Sequence, residues 1–400
     1  MNSKKKWIAG TVALVLITNV LTYYVTNRVS LVLPNGKTIG AQPYEVTAAY
    51  QKMFDIRNLL YRMYDGPIDE NVLVEGAIKG MTESLKDPYT TFFNKKEFEA
   101  FATQTSGSYS GIGLQIEVKE EKIIVVTTFE GSPARKAGIL PGDIIEKVNG
   151  TDVSGKEYEK AVSMMKGTEG TEVSVSITRG GKETHTYTVK RAKIDMQTVE
   201  GEMLPNNIAY IKLAMFDEHT GRDFNNKLKE LKGKGAKGLI LDLRQNPGGL
   251  LTTCVEVVSN FIPKGSVIVS TVDKYKKEQK FESKGGMAIG MPLVILTDGL
   301  TASASEIVSG AVRDYKLGTL VGEKTFGKGV VQQILETGDG TALKVTISKY
   351  YTPNGENIHK TGIKPDVEVK YPEELLKKPY SRTTDPQFSK ALEVIQEKVK

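Results

Sequence analysis

Three short apolar runs, at residues 208–213, 238–243 and 293–297, are separated by stretches of helical spacing. That alternation constrains the fold more than any other feature of the chain. Strands apolar along their whole length are buried on both faces, which calls for helices packed on either side of a partly parallel sheet. Helices are expected over 220–231, over 250–261 and from Ser303 onward, with a strand over 267–271 and a polar hairpin region after it. A last strand over 344–351 runs into the turn Pro353-Asn354-Gly355, and the charged stretch from Glu373 reads as helical in part.

Upstream the period changes. Residues 112–118 and 122–127 read as strands, and Gly131-Ser132-Pro133-Ala134 opens a short helix. Gly142-Asp143 turns into the strand 144–148, which ends at Asn149-Gly150. Residues 157–165 are helical, and 173–178 with 184–189 form a hairpin across Arg179-Gly180-Gly181-Lys182. Before this β-rich segment, apolar residues recur at helical spacing over 44–64 and 69–85. Asp87-Pro88-Tyr89 stops the second helix, and a short third one covers 95–102.

The first residues have a different character. Lys4-Lys5-Lys6 precede an apolar span at 7–25, about the length of one bilayer crossing. Lysines before it and a long polar body after it predict a cytoplasmic tail at 1–6, an uncleaved anchor at 7–25 and an extracytoplasmic remainder. A cleaved signal peptide is the competing reading, disfavoured because no small-residue cleavage pattern follows the span. The net charge of +6 comes from 54 basic and 48 acidic residues without a long basic run, so no nucleic-acid partner is expected. Cys254 is the only cysteine, which excludes an internal disulfide. Its apolar neighbours mark it as a core residue.

The chemistry concentrates in Thr301-Ala302-Ser303-Ala304-Ser305-Glu306 and, 25 residues after Ser303, in Gly327-Lys328-Gly329. Amide hydrolysis needs a nucleophile, a base that returns its proton to the leaving amine, and donors for the oxyanion. Ser303 stands where a strand turns into a helix, so the Ala304 amide and the positive helix end would face an oxyanion beside it. Ser303-Ala304-Ser305-Glu306 also reads as a capping box, and Ser305 is a rival hydroxyl. Lys328, framed by glycines, can act as the base only when uncharged, which requires burial. Gln332 could orient its amine without adding charge. Gly248-Gly249, after the buried strand 238–243, offer a further backbone donor. A phosphate-loop reading of 322–328 fails, because Gly329 stands where a magnesium-binding hydroxyl is needed and a strand follows. His185, His219 and His359 have no spacing that pairs them with Ser303. No cofactor and no metal site are expected.

Residues 107–190 resemble a PDZ domain of the bacterial protease-associated type, on Gly131-Ser132-Pro133-Ala134, Ala137-Gly138, Gly142-Asp143 and Val148-Asn149-Gly150. Residues 44–370 as a whole resemble the C-terminal processing peptidases, or tail-specific proteases, on Ala302-Ser303-Ala304-Ser305-Glu306, Gly327-Lys328-Gly329 with Gln332, and Arg244-Gln245-Asn246-Pro247-Gly248-Gly249. Asp298-Gly299-Leu300-Thr301 departs slightly from the family's usual approach to the serine.

The resemblance implies an α/β crotonase-like serine peptidase core at 193–375, with a PDZ-like domain at 106–192. It also implies a helical N-terminal region at 44–105, after a linker at 26–43, and a C-terminal tail or helix at 376–400. Position by position, Ser303 falls on the nucleophile, Lys328 on the general base and Gln332 on the residue that orients the lysine. Ala304 and Gly248, or Gly249, fall on the oxyanion amides. In the PDZ-like part, Ser110, Gly111, Ile112, Gly113 and Leu114 would cradle a terminal carboxylate, with Leu114, Ile116, Val162 and Met165 lining the apolar pocket. The partners implied are protein substrates with accessible C-terminal tails, the membrane through 7–25, and a second copy through the N-terminal helices. A non-catalytic peptide-binding scaffold on a degenerate hydrolase fold is the alternative.

Overall fold

The computed structural model describes residues 44–400, with residue 18 and the short strands Leu31–Val32 and Thr38–Ile39 before them. Apart from residue 18, the anchor expected at 7–25 lies outside the described residues. Among the described residues no helix is long and apolar enough to cross a membrane. The chain divides into two compact units, residues 1–77 and 78–400. In the first, the helix Tyr44–Met63 carries Arg57 and Tyr61, which bind the Glu70 carboxylate at 2.6 and 2.7 Å. The helical region expected to run from 44 to 105 is therefore split, and its second part belongs to the larger unit.

That larger unit holds two layered bodies. The peptidase-like core is a six-stranded sheet in the order Val199–Leu204, Ile208–Leu213, Gly238–Asp242, Leu293–Thr297, Thr319–Gly322, Val367–Glu368. Its first pair is antiparallel and the rest are parallel. Every residue of Gly238–Asp242 and Leu293–Thr297 is buried, as the apolar runs require. On one face pack the helices Thr220–Gly233, Leu251–Ser259 and Ala304–Asp314, through Phe224, Leu228, Val257, Val258, Val308 and Val312. The other face is covered by the helix Pro386–Val399, whose Phe388, Ala391 and Ile395 meet Tyr210, Ile240, Val294 and Leu296.

The segment expected as a C-terminal tail or helix is helical over Pro386–Val399 and forms the second layer of the core. Its Asp385 caps its own helix and receives the buried Arg244 guanidinium at 2.7 Å, while Asp242 receives it at 2.6 Å. A second sheet, Glu278–Glu282, Val267–Asp273, Thr341–Tyr351 and Val330–Gly338, stands beside the first. The strand Thr91–Phe93 adds to it through Thr341–Tyr351.

The PDZ-like body is a sheet in the order Glu183–Lys190, Glu172–Arg179, Ile144–Val148, Lys122–Thr128, Leu114–Lys119, with Thr151–Asp152 paired to its middle strand. Its entry and exit are tied together by Ser108–Gly111 and Ala192–Asp195. Leu114–Lys119 is an edge strand, the geometry that accepts an added peptide strand.

Candidate active site

Leu293–Thr297 ends in a turn organised by Asp298, whose Oδ1 accepts the Leu300 and Thr301 amides at 3.0 and 2.9 Å. The chain then bends sharply at Ser303, φ 55° and ψ −115°, before the helix Ala304–Asp314. A serine at positive φ costs about 1–3 kcal/mol and persists only where its surroundings over-determine it. Here they do. The Ser303 amide donates to Glu306 Oε2 at 2.9 Å, and its carbonyl accepts from the Glu306 and Ile307 amides and the Tyr350 hydroxyl at 2.8, 3.0 and 3.3 Å. The bend leaves Ser303 partly exposed at the corner, the arrangement of a nucleophile elbow. Ser305 is fully buried and donates to the Asn246 carbonyl at 3.1 Å, which removes it as the rival.

Glu306 does more than cap a helix. Its carboxylate is completely buried and accepts four hydrogen bonds. Oε1 takes the Thr325 hydroxyl at 2.6 Å and the Gly327 amide at 2.7 Å; Oε2 takes the Lys328 amide at 2.8 Å and the Ser303 amide at 2.9 Å. One side chain therefore sets the backbone of Ser303 and of Lys328, 25 residues apart, against a common anchor. The capping-box spacing of Ser303 and Glu306 was visible in the sequence; the link to Gly327 and Lys328 was not.

The glycines beside Lys328 are required by close approach. A Cβ on Gly327 would come within 2.9 Å of the Gly362 amide, and one on Gly329 within 2.6 Å of the His359 amide. The Lys328 side chain is half-buried, and its amine lies over the Tyr89 ring, 5.0 Å from the centroid. Burial and then the positive charge of Lys344 push its pKa below the ordinary lysine value, against the opposing pull of Glu306 and Asp87. Lys328 Nζ makes no hydrogen bond to Ser303 Oγ in this conformation. Nor does Gln332 hold it: the Gln332 amide donates to Thr346 Oγ1 at 3.3 Å. The backbones of Ser303 and Lys328 are brought together, and the side chains of Lys328 and Gln332 are not engaged with each other.

The glycine pair after Gly238–Asp242 closes over the serine. At Gly248, φ 101°, an added Cβ would stand 2.7 Å from Ser303 Cβ and 2.8 Å from the Ala304 amide nitrogen, so only glycine leaves the space beside that amide open. Asn246 positions the loop: its Oδ1 accepts the Gly248 amide at 2.9 Å, its Nδ2 donates to Leu213 O at 2.9 Å, and its carbonyl accepts the Ala302 amide at 3.0 Å. Gly248 N is thus already bonded, whereas Gly249, at φ 143°, and Ala304 make no such side-chain contact. The sequence motif contains Asn246 but assigns it no role beside its glycines.

Cys254 is buried, its thiol 3.1 Å from Ala304 O, and burial pushes its pKa up, so it packs beneath the helix start. His185 lies in the hairpin opposite Ile177, and His219 lies 3.6 Å from Asp195. The His359 ring stands edge-on to Tyr89, ring centroids 6.1 Å apart, and its amide donates to Asn357 Oδ1 at 3.3 Å.

In the PDZ-like body, Ile112, Gly113, Leu114, Ile116, Val162 and Met165 line one groove of about 760 Å³. Gly111 is not among its lining residues; it pairs with Ala192 in the connecting ribbon. Met196, Gln197 and Glu200, from the chain leading into the peptidase-like core, complete the groove. That contribution has no sequence signature, since it depends on how the two bodies are joined.

Comparisons with known proteins agree with this architecture. A sequence model of peptidase family S41 matches residues 207–369, and one of the PDZ domain matches residues 110–190. A model described as the activating protease CtpB N-terminal domain matches residues 22–97. Carboxy-terminal processing protease CtpA of Bacillus subtilis (strain 168) is 38% identical over 359 residues, 90% of this chain and 76% of the relative. Carboxy-terminal processing protease CtpB of the same organism is 36% identical over 329 residues, 81% of this chain and 68% of the relative. A crystal structure of a putative S41 protease from Bacteroides fragilis shares the fold, with a TM-score of 0.52 at 18% identity over 84% of this chain and 94% of that one. The chain belongs to the C-terminal processing peptidase family, serine-type peptidases of family S41 that carry a PDZ domain.

Proposed function

We propose that this chain is a membrane-anchored, extracytoplasmic endopeptidase that takes substrate C-termini into its PDZ groove and cleaves through an acyl-enzyme on Ser303. Uncharged Lys328 takes the Ser303 Oγ proton as Oγ attacks the scissile carbonyl. The oxyanion is met by the Ala304 amide and by Gly249, or by Gly248 once it releases Asn246. The ammonium so formed gives its proton to the leaving amine, and water then hydrolyses the ester with Lys328 again as base. Attack requires the Lys328 side chain to swing off the Tyr89 ring toward Ser303, with Gln332 turning from Thr346 to receive it. Catalytic hydrogen bonds commonly tighten only when substrate is bound. The observation that carries the reading is the Glu306 carboxylate shared by the Ser303 and Lys328 amides.

The groove beside the edge strand Leu114–Lys119 supports C-terminal recognition. The test is one unfolded substrate with a free or an amidated C-terminus. Amidation is expected to raise KM about tenfold, the loss of one charge-assisted contact. Equal kinetics for the two would remove terminal recognition from the reading.

Membrane attachment rests on the span 7–25 behind its lysines, and dimerisation on Met53, Phe54, Ile56 and Leu60, all exposed on the helix Tyr44–Met63. Light scattering on the detergent-solubilised full chain should give twice the protomer mass. Recovery in the soluble fraction without detergent, or a single protomer mass, would refute the respective part.

A further inference from the structure

The turn Asp87-Pro88-Tyr89-Thr90 lies more than 100 residues before the segment matched as peptidase, yet it reaches the peptidase site. The Lys328 amine sits 5.0 Å from the centroid of the Tyr89 ring. The turn that carries the ring is held from several sides. The Tyr89 amide donates to Asp87 Oδ1 at 3.1 Å, and the Thr90 hydroxyl donates to Asp87 Oδ2 at 2.7 Å. Thr90 Oγ1 in turn accepts the Thr346 amide at 3.1 Å. The next residues pair with the sheet, Thr91 opposite Lys344, and His359 stands edge-on to the ring. Thr346 is also the residue that holds Gln332. Thr346 therefore supports both the turn that carries Tyr89 and the Gln332 amide.

We propose that Tyr89 is a positioning residue for this peptidase, its ring face being the seat on which the Lys328 amine rests between proton transfers. The inference builds on the reading of Lys328 as general base. An aromatic face attracts an ammonium through its quadrupole, but more weakly than a buried carboxylate would. It keeps the amine at the site without trapping the proton. The charged groups that act on Lys328 are Lys344, which opposes the ammonium, and Glu306 and Asp87, which favour it.

The test uses the full chain, an unfolded protein substrate, and three variants: Tyr89→Phe, pentafluorophenylalanine at position 89, and Lys328→Ala. The first two keep the ring's shape, and only the second reverses the charge of its face. Tyr89→Phe should stay within about twofold of the unmodified enzyme, and the fluorinated ring should lower kcat about tenfold with KM little changed. Because it no longer favours the ammonium, the fluorinated ring should also move the acid limb of kcat/KM to lower pH. Equal kcat and equal limbs for the two aromatic variants would overturn the seat, as would a fall in kcat with an unmoved limb, which a packing role predicts. If Lys328→Ala retains activity, the general-base reading itself fails; if it is inactive while the two ring variants match, only the inference about Tyr89 fails.

Discussion

Lys328→Ala is expected to abolish cleavage of an unfolded protein substrate, with kcat falling at least about 10³-fold, and Ser303→Ala should do the same. Both remove members of one proton-transfer unit, so the double variant should be no slower than either single one. The fold should survive in each case. The Lys328 amine makes no ion pair among the described residues, and its backbone amide, the part Glu306 holds, remains in the alanine variant. Ser303→Ala likewise leaves the amide and carbonyl that fix the corner. Circular dichroism alongside the kinetics checks this. Cleavage at the unmodified rate by either variant would exclude the Ser303–Lys328 mechanism and favour another nucleophile or a different base.

Glu306→Gln should be damaging in a different way. The carboxylate accepts on both oxygens from Ser303, Gly327, Lys328 and Thr325. An amide in its place turns one acceptor into a donor aimed at other donors, at a side chain that is completely buried. Leaving such buried groups unmatched costs about 2–4 kcal/mol of stability. The loss of alignment between Ser303 and Lys328 should lower kcat about a hundredfold even in molecules that stay folded. Chemical denaturation and steady-state kinetics on the same preparation separate the two effects. A variant that loses stability but keeps full kcat would reduce Glu306 to a structural cap.

Much of this was legible in the chain because it depends on local patterns. The strands Gly238–Asp242 and Leu293–Thr297 were readable as continuous apolar runs, and the PDZ-like body as glycine turns at fixed offsets between alternating strands. Ser303 and Lys328 stood out through the motifs around them. What the sequence withheld depends on contacts between distant segments. Glu306 looked like half of a capping box because its other three donors lie beyond residue 324. Tyr89 looked like a helix stop because nothing near it in the chain announces Lys328. The C-terminal tail or helix had no place in the core on sequence alone, because its apolar face, Phe388, Ala391 and Ile395, has meaning only against the sheet it covers. Gln332 was read from its spacing to Lys328, and in this conformation its amide is instead bonded to Thr346.

The pH dependence of kcat/KM tests the central claim most directly. Lys328 is driven below the ordinary lysine value of 10.5 by burial and by Lys344, and it serves as base only when it has lost its proton. Activity should therefore climb with rising pH along a limb that lies below 10.5, and Lys344→Met should move that limb upward by removing the repelling charge. A limb at or above the free-lysine value, or one that Lys344→Met leaves in place, would contradict the account.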